Sequence, residues 1–278
     1  MKITPLSQAA GAEVSGIDLR QPIGDTAMAD IRQALTDRGA LVFRGQELAP
    51  GEFVAFSRSL GELEAYGSTV GEFLMPDHPD IIIISNVVEN GRQIGVRDAG
   101  QFWHTDRSYV ARPGWASSLY AREVPRAPDG TSLGQTMYAN MIAACAALDP
   151  AERSRLQALK GWHEYVYRFT TRQAHERLPG VEQPVILKHP LSGKLSLYVN
   201  EGFTHRIVGL PEDQSKALLQ RLFAHATRPE FIYTHCWDEG DVVLWDNYSV
   251  QHRAVSNYTA AQRRLLWRTT ISGFDLAQ

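Results

Sequence analysis

The sequence predicts a mainly β protein, a sandwich or barrel with helices on its flanks, and three observations carry that expectation. Short runs rich in β-branched and aromatic residues recur through the chain, at 81–88, 115–122, 136–140, 241–245 and 265–271. Turn chemistry separates the runs: Asn90-Gly91, Pro128-Asp129-Gly130 and Pro190-Leu191-Ser192-Gly193 each suit a tight reversal. Segments with a helical period are few and short and lie at the edges of this pattern.

The elements follow in order. Residues 1–25 read as a short strand and a turn, with Val14, Ile17 and Leu19 as core candidates. Met28, Ile31, Ala34 and Leu35 recur at helical spacing across 25–38, and Gly39 supplies a C-cap. Residues 40–44 form a buried strand. A second helix spans 50–60, with Phe53, Val54, Phe56 and Leu60 on one side and Gly61 closing it. Residues 62–75 are polar and aperiodic, either a lid over a site or a surface connection. The strand at 81–88 ends in a hairpin turn at Glu89-Asn90-Gly91-Arg92. Beyond the strands at 115–122 and 136–140 come helices at 141–148 and 151–159. Residues 160–184 carry many charges and no readable pattern; His163 and His175 there read as surface histidines, with substrate contact as the minor alternative. Residues 185–189 and 194–199 make a hairpin, and His205 lies in a loop. An amphipathic helix at 211–227 precedes the strands at 231–237, 241–245 and 265–271. Nothing marks a domain boundary, so residues 1–278 are read as one domain.

Composition removes several functions. A hydrophobic fraction of 44% and a charged fraction of 21% are those of an ordinary globular protein. A net charge of -3 offers no basic field for nucleic acid or an anionic membrane. No apolar run approaches the length of a membrane span. Met1-Lys2-Ile3-Thr4-Pro5 has no signal-peptide pattern, and neither Cys145 nor Cys236 belongs to a Cys-x-x-Cys pair. A reduced, cytoplasmic setting is expected.

The chemistry concentrates in Gln101-Phe102-Trp103-His104-Thr105-Asp106-Arg107-Ser108-Tyr109, whose aromatic and β-branched content predicts a strand. On a strand His104 and Asp106 share a face, and a second imidazole would complete a facial metal triad with the opposite side open, as in non-haem Fe(II) oxygenases. Spacing alone is weak: 9 His and 15 Asp in 278 residues give about half of one His-x-Asp by chance. A second copy exists, His78-Pro79-Asp80, read here as turn residues. The missing imidazole comes from Asp241-Val242-Val243-Leu244-Trp245-Asp246-Asn247-Tyr248-Ser249-Val250-Gln251-His252, in which a strand turns at Asp246-Asn247 and His252 returns on the next. Alone, His252 reads first as a structural histidine satisfied by hydrogen bonds. In 264–270, alternation puts Arg264, Leu266, Arg268 and Thr270 on one face. Two guanidiniums aimed into an apolar barrel would call for two anions, one from a co-substrate and one from the substrate; an outward, solvated face is the competing reading.

Taken in order, these segments resemble the taurine/2-oxoglutarate dioxygenase (TauD/TfdA) family of Fe(II)-dependent oxygenases. The matching pieces are Ile84-Ser85-Asn86-Val87, Trp103-His104-Thr105-Asp106, Leu119-Tyr120-Ala121, Gly134-Gln135-Thr136-Met137-Tyr138-Ala139-Asn140-Met141, Leu244-Trp245-Asp246-Asn247 with His252-Arg253-Ala254, and Arg263-Arg264 through Arg268-Thr269-Thr270-Ile271. The resemblance implies a double-stranded β-helix, a jelly roll with added helices. It implies His104, Asp106 and His252 as Fe(II) ligands, Thr136 and Arg264 as holders of the 2-oxoglutarate carboxylate, and Arg268 as a contact for an anionic substrate group. Tyr66 and Asn86 are further candidate substrate contacts. The implied reaction consumes dioxygen and 2-oxoglutarate, releases succinate and carbon dioxide, and hydroxylates a small, anionic organic molecule; a heteroatom on the hydroxylated carbon would lead to bond cleavage. Carboxylate Asp106 points to hydroxylation over halogenation. The chain departs from the family's Gly-Asp-Thr with Gly134-Gln135-Thr136, and residues 63–71 hold Tyr66 but no histidine, which points away from taurine itself. Homo-oligomers are common in the family and are expected. A metal-dependent hydrolase and a non-catalytic small-anion binder are the alternatives.

Overall fold

A computed structural model describes residues 1–66, 68–97, 100–166 and 179–276. In chain order, β1 (Lys2–Pro5) and β2 (Ala12–Ser15) lead into α1 (Asp25–Arg38), β3 (Ala40–Phe43) and α2 (Pro50–Leu60). A 3-10 turn (Ser68–Phe73) enters β4 (Leu74–Met75), β5 (His78–Ser85) and the hairpin of β6 (Val88–Glu89) and β7 (Arg92–Gln93). Next come β8 (Ala116–Glu123), β9 (Thr136–Asn140), α3 (Met141–Ala146), α4 (Pro150–Gln157) and β10 (Lys160–His163). The chain continues through β11 (Val181–Pro184), β12 (Ile186–Lys188), β13 (Leu195–Leu197), β14 (Thr204–Ile207) and α5 (Glu212–Ala226). It closes with β15 (Ile232–His235), β16 (Val242–Asp246), β17 (Val250–Ala254) and β18 (Leu265–Ile271).

The main sheet has the order β1-β2-β3-β16-β8-β18-β5-β4, and the three-stranded sheet β15-β9-β17 faces it. Together they form the jelly roll. Alternation along the central strands fills both faces of the main sheet. Leu41, Phe43, Tyr120, Val242 and Leu244 pack outward against Ile31, Leu35, Phe53 and Phe56 of α1 and α2. Val42, Leu119, Val243, Trp245 and Leu266 point inward and meet Tyr138, Tyr233 and Trp237 of the small sheet or its margin. A third cluster joins α3 and α5 to the β12–β13 hairpin through Leu197, Leu218 and Leu222. Helix α1 ends as expected at Gly39, whose φ of 73° lets its N–H reach Leu35 O at 2.8 Å.

Four expectations change. The stretch 101–109 is not a strand: only His104 pairs, in a single bridge to His252, and the chain then turns through Arg107 at φ 52°. Thr105 and Asp106 spend their bonds on Asn247 instead of on a ladder, so the composition there reflects packing rather than pairing. His78 and Asp80 belong to β5, because the reversal falls at Pro76-Asp77, with Asp77 at φ 64°. Pro79 lies outside the register with β18, which covers Ile82 to Ser85, and so interrupts no bond there. His205 sits on β14, its Nε2 3.0 Å from Glu164 O. His163 is fully buried on β10, between the hydroxyls of Ser108 and Thr204. His175 lies outside the described residues. No helix among the described residues is long and apolar enough to cross a membrane.

Candidate active site

The two sheets bring together residues far apart in sequence. His252 stands on β17, and its backbone exchanges both hydrogen bonds with His104, at 2.8 and 3.1 Å. That pairing sets the imidazole centroids 4.1 Å apart. Asp106 reaches the same point from the turn that follows, and its Oδ1 lies 3.7 Å from the Nε2 of each histidine. One ligating atom from each of the three residues falls within 4.8 Å of the others, and all three residues are buried. His104 Nδ1 donates to Phe102 O at 2.9 Å, which leaves Nε2 with its lone pair for a cation. His252 lies between Trp245 and Tyr138, with ring centroids at 4.8 and 6.2 Å.

Electrostatics match a cation site. Burial drives both imidazoles below their ordinary pKa, His252 strongly so, and keeps them in the neutral form that ligates. Burial alone would raise the Asp106 carboxyl; Arg268, the His252 and His104 rings and the Ser117 hydroxyl outweigh it and hold the group well below the usual carboxylate range. Asp106 is therefore ionised at neutral pH. Two borderline nitrogens and one hard oxygen, converging from one side, suit a divalent first-row metal.

A cavity opens beside the triad. The main sheet lines it with Ile84, Leu119, Leu266 and Arg268, and the small sheet with Thr136 and Ala254. Arg264 also lines it, 6% exposed, with Nη2 3.3 Å from Gly134 O and its guanidinium 5.9 Å from the Tyr258 ring. No carboxylate among the described residues pairs with it, and burial lowers its pKa. Gly134, at φ 68°, makes the approach possible: a Cβ there would stand 2.9 Å from Arg264 Nε. Thr136 accepts a hydrogen bond from Trp237 Nε1 at 3.0 Å, so its own proton is free to point into the cavity. Arg268 donates to Asp106 Oδ2 at 2.8 Å, while its Nε is buried without a partner among the described residues.

The two candidate substrate contacts separate. Tyr66 donates to Thr270 Oγ1 at 2.7 Å beside Arg268, and burial pushes its phenol up to about 12, so it stays a donor. Asn86 lies behind Arg264: its Oδ1 accepts Arg264 N–H at 2.8 Å and its Nδ2 donates to Gln262 O at 2.9 Å. It straps the backbone that carries Arg264 and does not line the cavity. Sequence reasoning missed Ser117 and Asn247, which contact Asp106, and the Arg107–Glu64 ion pair at 2.7 Å. Ser117 carried a faint signal, one of two adjacent polar residues at the buried start of β8.

A jelly roll that gathers two histidines and a carboxylate beside buried, anion-seeking arginines is the framework of a 2-oxoglutarate-dependent dioxygenase. The model of the family described as taurine catabolism dioxygenase TauD, TfdA family matches residues 2–270, and the chain belongs to that family. It is 35% identical to pentalenolactone F synthase of Streptomyces arenae, over 99% of this chain and 96% of the relative. It is 33% identical to the alpha-ketoglutarate-dependent 2,4-dichlorophenoxyacetate dioxygenase of Cupriavidus pinatubonensis, over 96% of each chain. The crystal structure of a taurine dioxygenase from Burkholderia xenovorans superposes with a TM-score of 0.84 at 32% identity, covering 98% of this chain and 89% of that one. The protein is a 2-oxoglutarate-dependent dioxygenase acting on a small organic substrate. The hydrolase and the anion-carrier alternatives give way to that membership.

Proposed function

We propose that His104 Nε2, Asp106 Oδ1 and His252 Nε2 hold Fe(II), that Thr136 and Arg264 hold the distal carboxylate of 2-oxoglutarate, and that Arg268 receives an anionic group of the substrate. The observation that carries this reading is the convergence of three ligating atoms within 4.8 Å beside a cavity that is also lined by a buried guanidinium with no carboxylate partner among the described residues. When bound, the metal couples oxidative decarboxylation of 2-oxoglutarate by dioxygen to oxidation of a substrate C–H bond.

The chain's residues do the rest. Arg264 offers a planar fork and Thr136 a hydroxyl, which together fix a carboxylate in a dry pocket. Leaving Arg264 buried and unpaired would be costly, so the co-substrate stabilises the protein as it binds. Leu119, Ile84 and Leu266 exclude water around it. Arg268 faces both Asp106 and the cavity, and its Nε, without a partner among the described residues, supports a role in receiving a substrate anion. Tyr66, fixed through Thr270, is proposed to contact the same group. The absence of a histidine in 63–71 argues against taurine, and the reaction we assign is hydroxylation of another small organic anion, by the whole chain acting as one catalytic domain.

The test is product formation. With Fe(II), 2-oxoglutarate and air, the purified protein should form succinate slowly on its own and faster in the presence of a suitable organic acid. His104→Ala should abolish both rates, and Arg268→Ala should raise the KM for the acid while leaving the slow background rate. Equal KM values in wild type and Arg268→Ala would refute the role of Arg268.

A further inference from the structure

The carboxylate of Asp106 is held by a chain of hydrogen bonds whose direction is fixed from its far end. Trp245 Nε1 can only donate, and its partner at 2.9 Å is the Asn247 amide. Asn247 therefore turns Oδ1 toward the indole, and the same oxygen accepts the Asp106 N–H at 3.4 Å. Its Nδ2 is left to donate to Ser117 Oγ at 3.0 Å. Ser117 has a single proton and hands it to Asp106 Oδ2 at 2.7 Å. Ser117, Asn247 and Trp245 are each 0–1% exposed, so bulk water does not substitute for any link. The backbone is clasped as well, with Thr105 Oγ1 donating to Asn247 O.

We infer that Ser117 and Asn247 are positioning residues that reserve Oδ2 of Asp106 and leave Oδ1 as the one oxygen presented to a cation. Oδ1 is the atom that lies 3.7 Å from both imidazole Nε2 atoms. Arg268 also reaches Oδ2, at 2.8 Å, but it is the group assigned to the substrate anion, so the Ser117 contact is the one that persists when substrate arrives. A carboxylate whose second oxygen is free can bind a cation through both, which would occupy a position this chemistry needs open. The inference rests on the metal assignment made above.

The control lies one residue away. Ser118 is as buried as Ser117, faces the other side of β8, and its hydroxyl has no partner among the described residues. Mn(II) binding and the visible spectrum of the Co(II)-loaded full chain are compared in wild type, Ser117→Ala, Ser118→Ala and His104→Ala, alongside melting of the metal-free forms. Ser117→Ala should weaken Mn(II) by roughly 10- to 100-fold, the effect typical of losing an outer partner of a metal ligand, and should change the Co(II) spectrum. Ser118→Ala should match wild type in both. Asn247→Asp, which turns the Ser117 proton away from Asp106, should reproduce the spectral change and serves where Ser117→Ala does not fold. Wild-type affinity and spectrum in both Ser117→Ala and Asn247→Asp overturn the inference alone. A wild-type protein that binds neither ion, or binds them as well as His104→Ala does, overturns the metal assignment itself.

Discussion

At the scale of the residue, the site is defined by charges that are buried before any ligand arrives. Arg264 is 6% exposed and has no carboxylate partner among the described residues, a desolvation cost that a bound anion would offset. Removing it should cost the co-substrate a charge-assisted contact of about 1.5–3 kcal/mol. Arg264→Ala is accordingly expected to raise the KM for 2-oxoglutarate by roughly 10- to 100-fold, measured by succinate release. A second buried group acts on stability. Burial lowers His163 to about 3, against an ordinary value near 6.5, so the native state holds it neutral while the unfolded chain protonates it in mild acid. Its contribution is complete above pH 6.5 and is lost progressively as pH falls toward 3. Urea unfolding should show about 1.4 kcal/mol less stability per pH unit well below 6.5 from this group. His163→Gln should flatten that slope by one proton.

At the scale of the element, the decisive pieces are a turn and a glycine. The pairing of His104 with Asp106 was legible as a His-x-Asp spacing, and the order of the motifs pointed to His252, which the fold brings to the same place. The element that carries them was misread. Aromatic and β-branched residues at 101–109 look like a strand, yet their job is to pack around a turn whose polar groups bond to Asn247, more than a hundred residues away. No local signal reports such a partner. The helices at 25–38 and 50–60 were readable because their period and closing glycines agree. Gly134 could be read only as part of a motif; its space requirement becomes visible once Arg264 is packed against it. Gly134→Ala places a methyl 2.9 Å from Arg264 Nε at a φ of 68°. The expected result is a weakened affinity for 2-oxoglutarate with little change in metal binding, checked by paired titrations of metal and co-substrate.

At the scale of the molecule, the jelly roll joins groups that sequence separates. His104 and His252 bridge one another, Arg268 lies on β18 of the facing sheet with Arg264 just before that strand, and Thr136 sits on β9 beside β17. Ligands that bind across both sheets should clamp them together, so metal and 2-oxoglutarate added jointly should raise the melting temperature above that with either alone. Asn86 shows the same coupling: read from sequence as a substrate contact, it ties β5 to the start of β18. Its amide was visible in the sequence, but its partners were not.

The most direct measurement is an anaerobic absorbance titration of the metal-free protein with Fe(II) and then 2-oxoglutarate. A weak visible charge-transfer band should appear only when both are present, and should be missing in His104→Ala and in Arg264→Ala at matched concentrations. Fe(II) binding with no such band on adding 2-oxoglutarate, or an undiminished band in His104→Ala, would contradict the assignment of His104, Asp106 and His252 as the metal centre and of Arg264 as its co-substrate anchor.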